Sequence, residues 1–275
     1  MNYKKYGNAF RQLREQKALS LSDFTTIGIS KASLSRFERA ETMMSFEKVV
    51  QALQLMGVSL EEYENFLNDY SLDESSSLIR EIEIALFKGD KMQLQKIYAM
   101  SNNFDYIQIA LAAKASFTSL NFGEIDEITD FLYNIQIWSP IELFIFYFTM
   151  DDLNTNDILY LIESFFIVKN NKIFNSPKYK GLFVRICCRA ICTLSYRGYR
   201  AGSEYIIKQV DIHKLINSMF LRNLFNFSKE LWIYTFKNKN EGNTIILRAL
   251  DIFYSLSTPD IANYYQNRYN YYIKK

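Results

Sequence analysis

One stretch decides the fold of the N-terminal part of this chain: Gly28-Ile29-Ser30-Lys31-Ala32-Ser33-Leu34-Ser35-Arg36-Phe37-Glu38. Gly28 permits the positive φ of a turn, and Ser30 supplies the side-chain oxygen of a helix N-cap. The residues that follow predict a helix over 31–39, with Leu34 and Phe37 three apart on its buried face. A second short helix precedes the turn. Two short helices joined by a glycine-containing turn are typical of a helix-turn-helix.

Hydrophobic spacing on both sides of this stretch predicts a five-helix unit. The segments are 3–17, a short helix from Ser20, 31–39, 45–55 and a fifth helix capped by Ser59. Ser20 and Asp23 form an imperfect capping box, whereas Ser59 and Glu62 form a complete Ser-x-x-Glu box. The pattern also places Phe46 on the buried face of the fourth helix.

The charge is unevenly distributed along the chain. Residues 1–39 carry a net charge of +5, residues 40–94 carry −7, and the whole chain carries only +2. A compact basic segment beside an acidic one predicts a local surface for a polyanion. Charge alone is weak evidence, but here it coincides with the predicted helix-turn-helix.

The stretch 28–39, together with Gly57-Val58-Ser59-Leu60-Glu61-Glu62-Tyr63, resembles the Cro/C1-type (XRE) DNA-binding domain. The string at 33–38 and the total length narrow the resemblance to the Rgg/MutR family of Gram-positive regulators. This resemblance implies a cytosolic quorum-sensing receptor for a short hydrophobic peptide pheromone. Ala18 and Ala40 stand where the family usually has glycine. Ser45 excludes an intersubunit disulfide reported for some Rgg proteins at this kind of position.

The resemblance also implies how the N-terminal unit would contact DNA. The third helix would enter a major groove with its outward residues over base edges. By alignment to the motif, these residues are Lys31, Ala32, Ser33 and Arg36, with Ser35 near the backbone. Phosphates would be contacted by Arg11, Arg14, Lys17 and Ser20. A homodimer would place two such helices one turn apart on a palindromic or inverted-repeat promoter site.

A polar segment follows residue 67. We therefore predict an N-terminal domain at 1–67 and a helical domain at 68–275. Eleven helices are expected in the second domain: 74–88, 90–101, 104–118, 121–135, 140–150, 154–169, 177–198, 200–211, 214–238, 241–256 and 259–273. A capping hydroxyl precedes a proline at three of these starts, at Ser139-Pro140, Ser176-Pro177 and Thr258-Pro259. Paired helices predict a TPR-like α-solenoid.

The second domain offers polar residues among many aromatic ones, which are candidates for a peptide-binding site. Arg185 and Arg189 lie one turn apart on an apolar helix and could bind a carboxylate of the peptide. The other candidates are Tyr147, Arg222, Asn223, Asn226 and Lys229. Surface charges or salt bridges within a repeat explain each of these residues equally well. The aromatic C-terminal helix would end the stack or join a dimer interface.

The composition argues against an enzyme. His213 is the one histidine, and no phosphate-binding or nucleophile motif is present, so we expect no catalytic residue, metal ion or cofactor. No segment predicts a membrane span or a signal peptide, and the clustered Cys187, Cys188 and Cys192 suit a reducing cytoplasm. Two alternatives remain open. The protein could be a repressor without a small ligand, or an adaptor whose helical domain holds another protein.

Overall fold

The computed structural model describes residues 4–103, 106–167 and 175–273. Every regular element in these ranges is a helix, which confirms the all-α prediction. The chain divides into two compact units, Met1–Asp73 and Glu74–Lys275. The break lies beyond residue 67 because the turn after the last helix of the first unit folds back on that helix, with the Tyr70 N–H donating to the Asn65 carbonyl over 2.7 Å.

The first unit contains four α-helices and one short 3₁₀ helix. They are α1 (Lys4–Gln16), the 3₁₀ helix (Asp23–Ile27), α2 (Lys31–Glu38), α3 (Phe46–Met56) and α4 (Leu60–Leu67). The second of the five predicted helices is thus a 3₁₀ helix rather than an α-helix. Ser59 and Glu62 form the predicted capping box at the start of α4, and the turn before α2 has its Gly28 at φ 75°.

An aromatic cluster centred on Phe10 holds the first unit together. Its ring centroid lies 6.0 Å from that of Phe24, 5.5 Å from Phe37 and 6.4 Å from Tyr63. The Tyr63 hydroxyl also donates to the Tyr6 carbonyl over 2.8 Å. These contacts fix α2 against α1, so the orientation of α2 is set by buried packing.

The buried face of α3 begins later than the sequence pattern indicated. Phe46 was expected to point inward, but it is 71% exposed. It is the first residue of its helix, and the buried positions start at Val49 and continue through Ala52 and Leu53. The prediction that Phe46 is buried was therefore wrong, because the buried face of α3 begins three residues later, at Val49.

The second unit consists of eleven helices in its described part. They are α5 (Glu74–Lys88), α6 (Lys91–Asn103), α7 (Ile107–Ala115), α8 (Phe122–Tyr133), α9 (Pro140–Thr149), α10 (Thr155–Ile167), α11 (Pro177–Tyr196), α12 (Arg200–Ile212), α13 (Met219–Phe236), α14 (Lys239–Leu256) and α15 (Pro259–Ile273). All eleven predicted helices are present, and the three prolines begin α9, α11 and α15. Ser139 caps its helix through a capping box with Glu142, whereas the Ser176 side chain makes no cap hydrogen bond, contrary to the expectation.

Within the second unit, the last helix, α15, packs against the first helix, α5. α15 contacts both α14 and α5, and the ring of Tyr264 meets the ring of Phe87 edge-on with centroids 5.0 Å apart. The helices differ in this respect from an open solenoid, in which each repeat contacts only its neighbours. No helix in the described ranges is both long and apolar enough to span a membrane.

Candidate functional site

The outward face of α2 carries the residues expected over base edges. Lys31, Ala32 and Arg36 are exposed, while Ser33 and Ser35 are half-buried. Neither Lys31 nor Arg36 forms an ion pair within the part of the chain that the structure describes. Arg36 makes one long hydrogen bond of 3.4 Å, from Nε to the Ala32 carbonyl. Both cations are therefore available to an external partner.

The start of α2 is fixed by a side-chain cap. The Ser30 hydroxyl oxygen accepts from the Ser33 N–H over 3.2 Å, as the sequence predicted. This bond satisfies one of the free N–H groups at the helix start and ties α2 to the turn before it. The outward residues thus project from a helix with a defined beginning.

Three further residues expected at phosphates lie on the surface of the first unit. Arg11 is exposed and donates from Nε to Glu15 over 2.7 Å, and Lys17 is exposed. Ser20 was expected to cap a helix at its N-terminus, but it does not. Its backbone N–H and hydroxyl instead donate to the Asp23 carboxylate over 2.6 and 2.9 Å, because the 3₁₀ helix begins only at that aspartate.

Arg14 has a different position from the one predicted at a phosphate. Its guanidinium donates to both carboxylate oxygens of Glu38 over 2.6 and 2.9 Å, and to the Leu19 carbonyl over 2.7 Å. The side chains of Arg14 and Glu38 are only 10% and 6% exposed. Arg14 therefore joins α1 to the end of α2, and it positions the candidate DNA-contacting helix rather than contacting a phosphate.

A glycine allows the same two helices to approach closely. A Cβ atom at Gly7 would lie 2.1 Å from the Phe37 carbonyl oxygen. Any side chain at this position of α1 would push α2 away. The sequence analysis did not identify Gly7, because this glycine lies inside a helical pattern without a turn signal.

In the second unit, three of the predicted peptide-binding residues come together. The guanidinium carbons of Arg185 and Arg189 on α11 lie 5.0 and 4.7 Å from the ring centroid of Tyr147 on α9. The Arg185 guanidinium also pairs with the Glu83 carboxylate of α5. The side chains of Arg185 and Arg189 are 16% and 9% exposed, so both guanidinium groups are largely buried.

An aspartate that the sequence analysis missed organises the deeper part of this cluster. Asp151, after α9, accepts at Oδ2 from both Arg189 and Arg268 over 2.8 Å. Its Oδ1 accepts from the Thr193 hydroxyl over 2.8 Å. Arg197 donates to the Asp151 carbonyl over 2.6 Å. The available signal was the spacing of Arg268 on α15, one turn from an aromatic residue on either side.

Asp151 and its neighbour Asp152 have opposite electrostatic environments. Burial would raise the pKa of the Asp151 carboxyl, but the charges of Arg189 and Arg268 outweigh burial and hold that pKa far below its usual value. Burial raises the pKa of Asp152, and the negative charge of Asp151 adds to this effect. Asp151 is thus firmly anionic, whereas the fold favours the neutral form of Asp152.

A small cavity lies between the arginines and the C-terminal helix. It has a volume of about 20 Å³, and α15 contributes Tyr264, Tyr265, Arg268 and Tyr272 to its wall. This volume is enough for one water molecule, which needs roughly 10–15 Å³. A carboxylate therefore cannot enter this cavity unless its wall moves.

The cluster has more cationic donors than acceptors. Arg185, Arg189 and Arg268 face the two carboxylates of Glu83 and Asp151. Within the described residues, the buried Arg185 Nε, Arg189 Nε and Arg189 Nη1 have no hydrogen-bond partner. Buried donors without acceptors are costly, so this arrangement favours an added polar group small enough for the cavity.

The remaining predicted residues on α13 do not join this cluster. Asn223 is buried and its amide nitrogen donates to the Ala249 carbonyl over 2.9 Å. Arg222 and Asn226 are exposed, so they lie on a different face of α13 from Asn223, and Lys229 is half-buried. Asn223 thus points away from the other three residues, which follow one another at i, i+4 and i+7 along the outer face of α13, and a role of these residues in peptide binding stays a prediction.

The two units match two known families. Residues 5–66 match a helix-turn-helix domain family, and residues 85–267 match the family of the "HTH-type transcriptional regulator Rgg, C-terminal domain". The first match coincides with the unit that holds α2, and the second includes Arg185, Arg189 and the first part of α15.

The fold is similar to solved structures of bacterial receptors. The Streptococcus dysgalactiae SHP pheromone receptor Rgg2 is 18% identical, with a TM-score of 0.77 over 97% of this chain and 100% of that chain. The PrgX/cCF10 complex is 14% identical, with a TM-score of 0.71 over 98% of this chain and 92% of that one. These structural similarities show a shared fold. The match to the Rgg C-terminal domain family covers residues 85–267, well over half of the chain. The protein is a transcriptional regulator rather than an enzyme, and it belongs to the Rgg family.

Proposed function

We propose that this protein is a cytoplasmic quorum-sensing regulator that binds promoter DNA through α2 and is switched by a short imported peptide. The observation that carries the DNA part is the exposure of Lys31 and Arg36 on a helix fixed by buried contacts. Either cation can donate to guanine O6 and N7 in a major groove, and Ala32 can contact a thymine methyl. Arg11 and Lys17 supply phosphate contacts on the surface of the same unit.

We further propose that the protein binds a palindromic or inverted-repeat site as a homodimer. A helix-turn-helix protein that binds as a dimer places its two recognition helices one helical turn of DNA apart, about 34 Å. Ser45 means that no disulfide through this position is required for such a dimer. Sedimentation of the protein with and without DNA measures the stoichiometry, and a single protomer on the DNA would contradict the dimer.

The peptide part of the proposal rests on the arginine cluster of the second unit. Arg185 and Arg189 are guanidinium donors held beside Tyr147, and some of their N–H groups have no acceptor in the described residues. A carboxylate of a peptide is the bidentate acceptor that suits an arginine. Rgg2 is described as a pheromone receptor and PrgX has been solved with cCF10, which supports a peptide rather than another anion.

The test is DNA binding measured in the presence of peptides from the culture medium of the source bacterium. A labelled duplex from upstream of the protein's own gene is titrated with the protein, with and without the peptide fraction. We expect the peptide fraction to change the affinity, and Arg185→Gln to remove that change while DNA binding itself persists. If no peptide fraction changes the affinity of a protein that binds this DNA, the protein is a ligand-independent repressor or a holder of a protein partner.

A further inference from the structure

Three hollows in the second unit are joined by shared side chains. The arginine cavity described above shares Arg185 with an aromatic groove of about 320 Å³. The aromatic groove in turn shares Phe220 with an apolar dimple of about 190 Å³. Each shared side chain therefore separates two neighbouring hollows, which follow one another from the arginines to the dimple.

The aromatic groove runs between α9, α11 and α13. Its apolar walls include Phe144, Tyr179, Leu182 and Phe220, and the cations Arg185 and Lys178 also line it. The Arg185 guanidinium carbon lies 5.8 Å from the Phe144 ring centroid, so the cation stands where the apolar wall begins. An anion with an apolar group attached to it matches this arrangement in charge and in polarity.

The apolar dimple lies where α13 begins and α14 ends. Met219 and Leu256 on its rim are 82% and 73% exposed, and Ile252 is also exposed. Asn223 and Ser257 are the polar residues that line it. Groove and dimple each exceed the roughly 150 Å³ cavity that admits benzene, so each has room for an apolar side chain.

We propose that the regulatory peptide binds with its C-terminal carboxylate at Arg185, its last side chain in the aromatic groove and an earlier apolar side chain in the apolar dimple. This inference rests on the proposed function and adds the direction and side-chain class of the ligand. A fatty acid also combines a carboxylate with an apolar chain. The peptide is favoured because Phe220 separates the groove from the dimple, so an occupant of both needs two apolar groups on one backbone rather than a single unbranched chain.

The probes are a tripeptide acid, its amide, an acetylated amino acid and a fatty acid. They are N-acetyl-Leu-Gly-Phe with a free carboxylate, its C-terminal amide, N-acetyl-Phe with a free carboxylate, and laurate. Binding to the full chain is measured by ligand-observed NMR titration. We expect the free acid of the tripeptide to bind at least about tenfold more tightly than its amide, because the charged hydrogen bonds are lost in the amide.

Two variants separate the groove from the dimple without opening the core. Gly181 on α11 lines the groove, and a Cβ atom there would be 3.8 Å from Leu221, which is an ordinary contact distance. Gly181→Leu therefore fills the groove, and it should abolish the binding of the tripeptide acid and of N-acetyl-Phe. Met219→Ser with Leu256→Ser should weaken the tripeptide several-fold and leave N-acetyl-Phe unchanged. Met92→Ser on α6, also highly exposed, is the matched control.

Several results would overturn this inference. They are equal binding of acid and amide, unchanged binding to Gly181→Leu, and binding of laurate but not of the tripeptide. These outcomes are distinct from a failure of the proposed function. If culture peptides change DNA affinity while the probes do not bind, the direction and class inferred here are wrong and the regulatory function stands. If the probes bind as expected but no peptide changes DNA affinity, the binding site is correct and the switch is wrong.

Discussion

Arg268 donates from Nη1 to Asp151 Oδ2 over 2.8 Å and thereby joins the last helix of the chain to the turn after α9, 117 positions away. The same oxygen accepts from Arg189 over 2.8 Å. One carboxylate therefore holds two guanidinium groups in place and fixes α15 as a wall of the arginine cavity.

Removing the charge of Asp151 should destabilise the second unit. Asp151→Asn leaves the buried Arg189 and Arg268 without their carboxylate, which costs roughly 3–5 kcal/mol for a fully buried pair. Because 35% of the Asp151 side chain is exposed, we expect a smaller loss, about 2–3 kcal/mol. Urea unfolding measures this loss. Asp126→Asn, at an exposed site on α8, is the control and should change stability by less than about 0.5 kcal/mol.

Asp152→Asn should stabilise the protein at pH 7, whereas Asp151→Asn should destabilise it. The folded-state pKa of Asp152 is raised, so between its ordinary value and this raised value the folded protein binds more protons than the unfolded chain. Stability from this group is therefore lost as the pH rises through that window. We expect Asp152→Asn to raise the melting temperature at pH 7 and to lose this advantage on acidification. A wild-type protein more stable than Asp152→Asn at pH 7 would contradict this account.

The buried pair of Arg14 and Glu38 should control both stability and DNA binding. Glu38→Gln removes the closest carboxylate partner of the Arg14 guanidinium, which is 10% exposed, and leaves only the longer 3.6 Å contact with Glu15, so we expect a loss of about 3 kcal/mol. DNA affinity should fall as well, because the pair sets the position of α2. Glu41→Gln is the matched control, since its ion pair with Arg39 is about half exposed and is worth less than about 1 kcal/mol. Equal effects of the two substitutions would refute the positioning role of Arg14.

Two alanines are strained where glycine would not be. Ala18 and Ala40 have φ values of 55° and 60°, in the left-handed region that costs a residue with a Cβ about 1 kcal/mol. We expect Ala18→Gly and Ala40→Gly each to stabilise the first unit by roughly 1 kcal/mol. Ala32→Gly, at an exposed helical position in the same unit, should instead be destabilising. Thermal unfolding of the three variants compares them, and a loss of stability in Ala40→Gly would be inconsistent with strain at that residue.

Helix positions could be predicted from this sequence because their signals are local. Helical spacing, capping hydroxyls and three prolines mark the helices of the second unit, and all eleven are present in the structure. The short helix expected from Ser20 is present, but it begins later, at Asp23, whose carboxylate accepts from the Ser20 N–H. Helix type at this point depends on one side chain and not on periodicity.

Side-chain partners were harder to predict because they depend on which helices meet. The sequence pattern indicates a surface cation at Arg14, yet Arg14 lies one turn from the buried Phe10 and packs toward Glu38. Asp151 and Arg268 are far apart in sequence, and only the packing of α15 against the rest of the unit brings them together. The arginines of α11 were identified because charge on an apolar helix is a local signal.

The most direct test of this account is fluorescence anisotropy of the purified protein with a labelled duplex from upstream of its own gene, across a salt series. The wild-type protein is compared with Arg36→Ala and with Arg39→Ala, whose guanidinium is paired with Glu41. We predict sequence-specific binding with a steep salt dependence, a loss of about 1–3 kcal/mol of binding free energy and of specificity in Arg36→Ala, and a smaller loss in Arg39→Ala. Binding of equal strength to wild-type and Arg36→Ala protein would contradict the claim that α2 recognises DNA sequence.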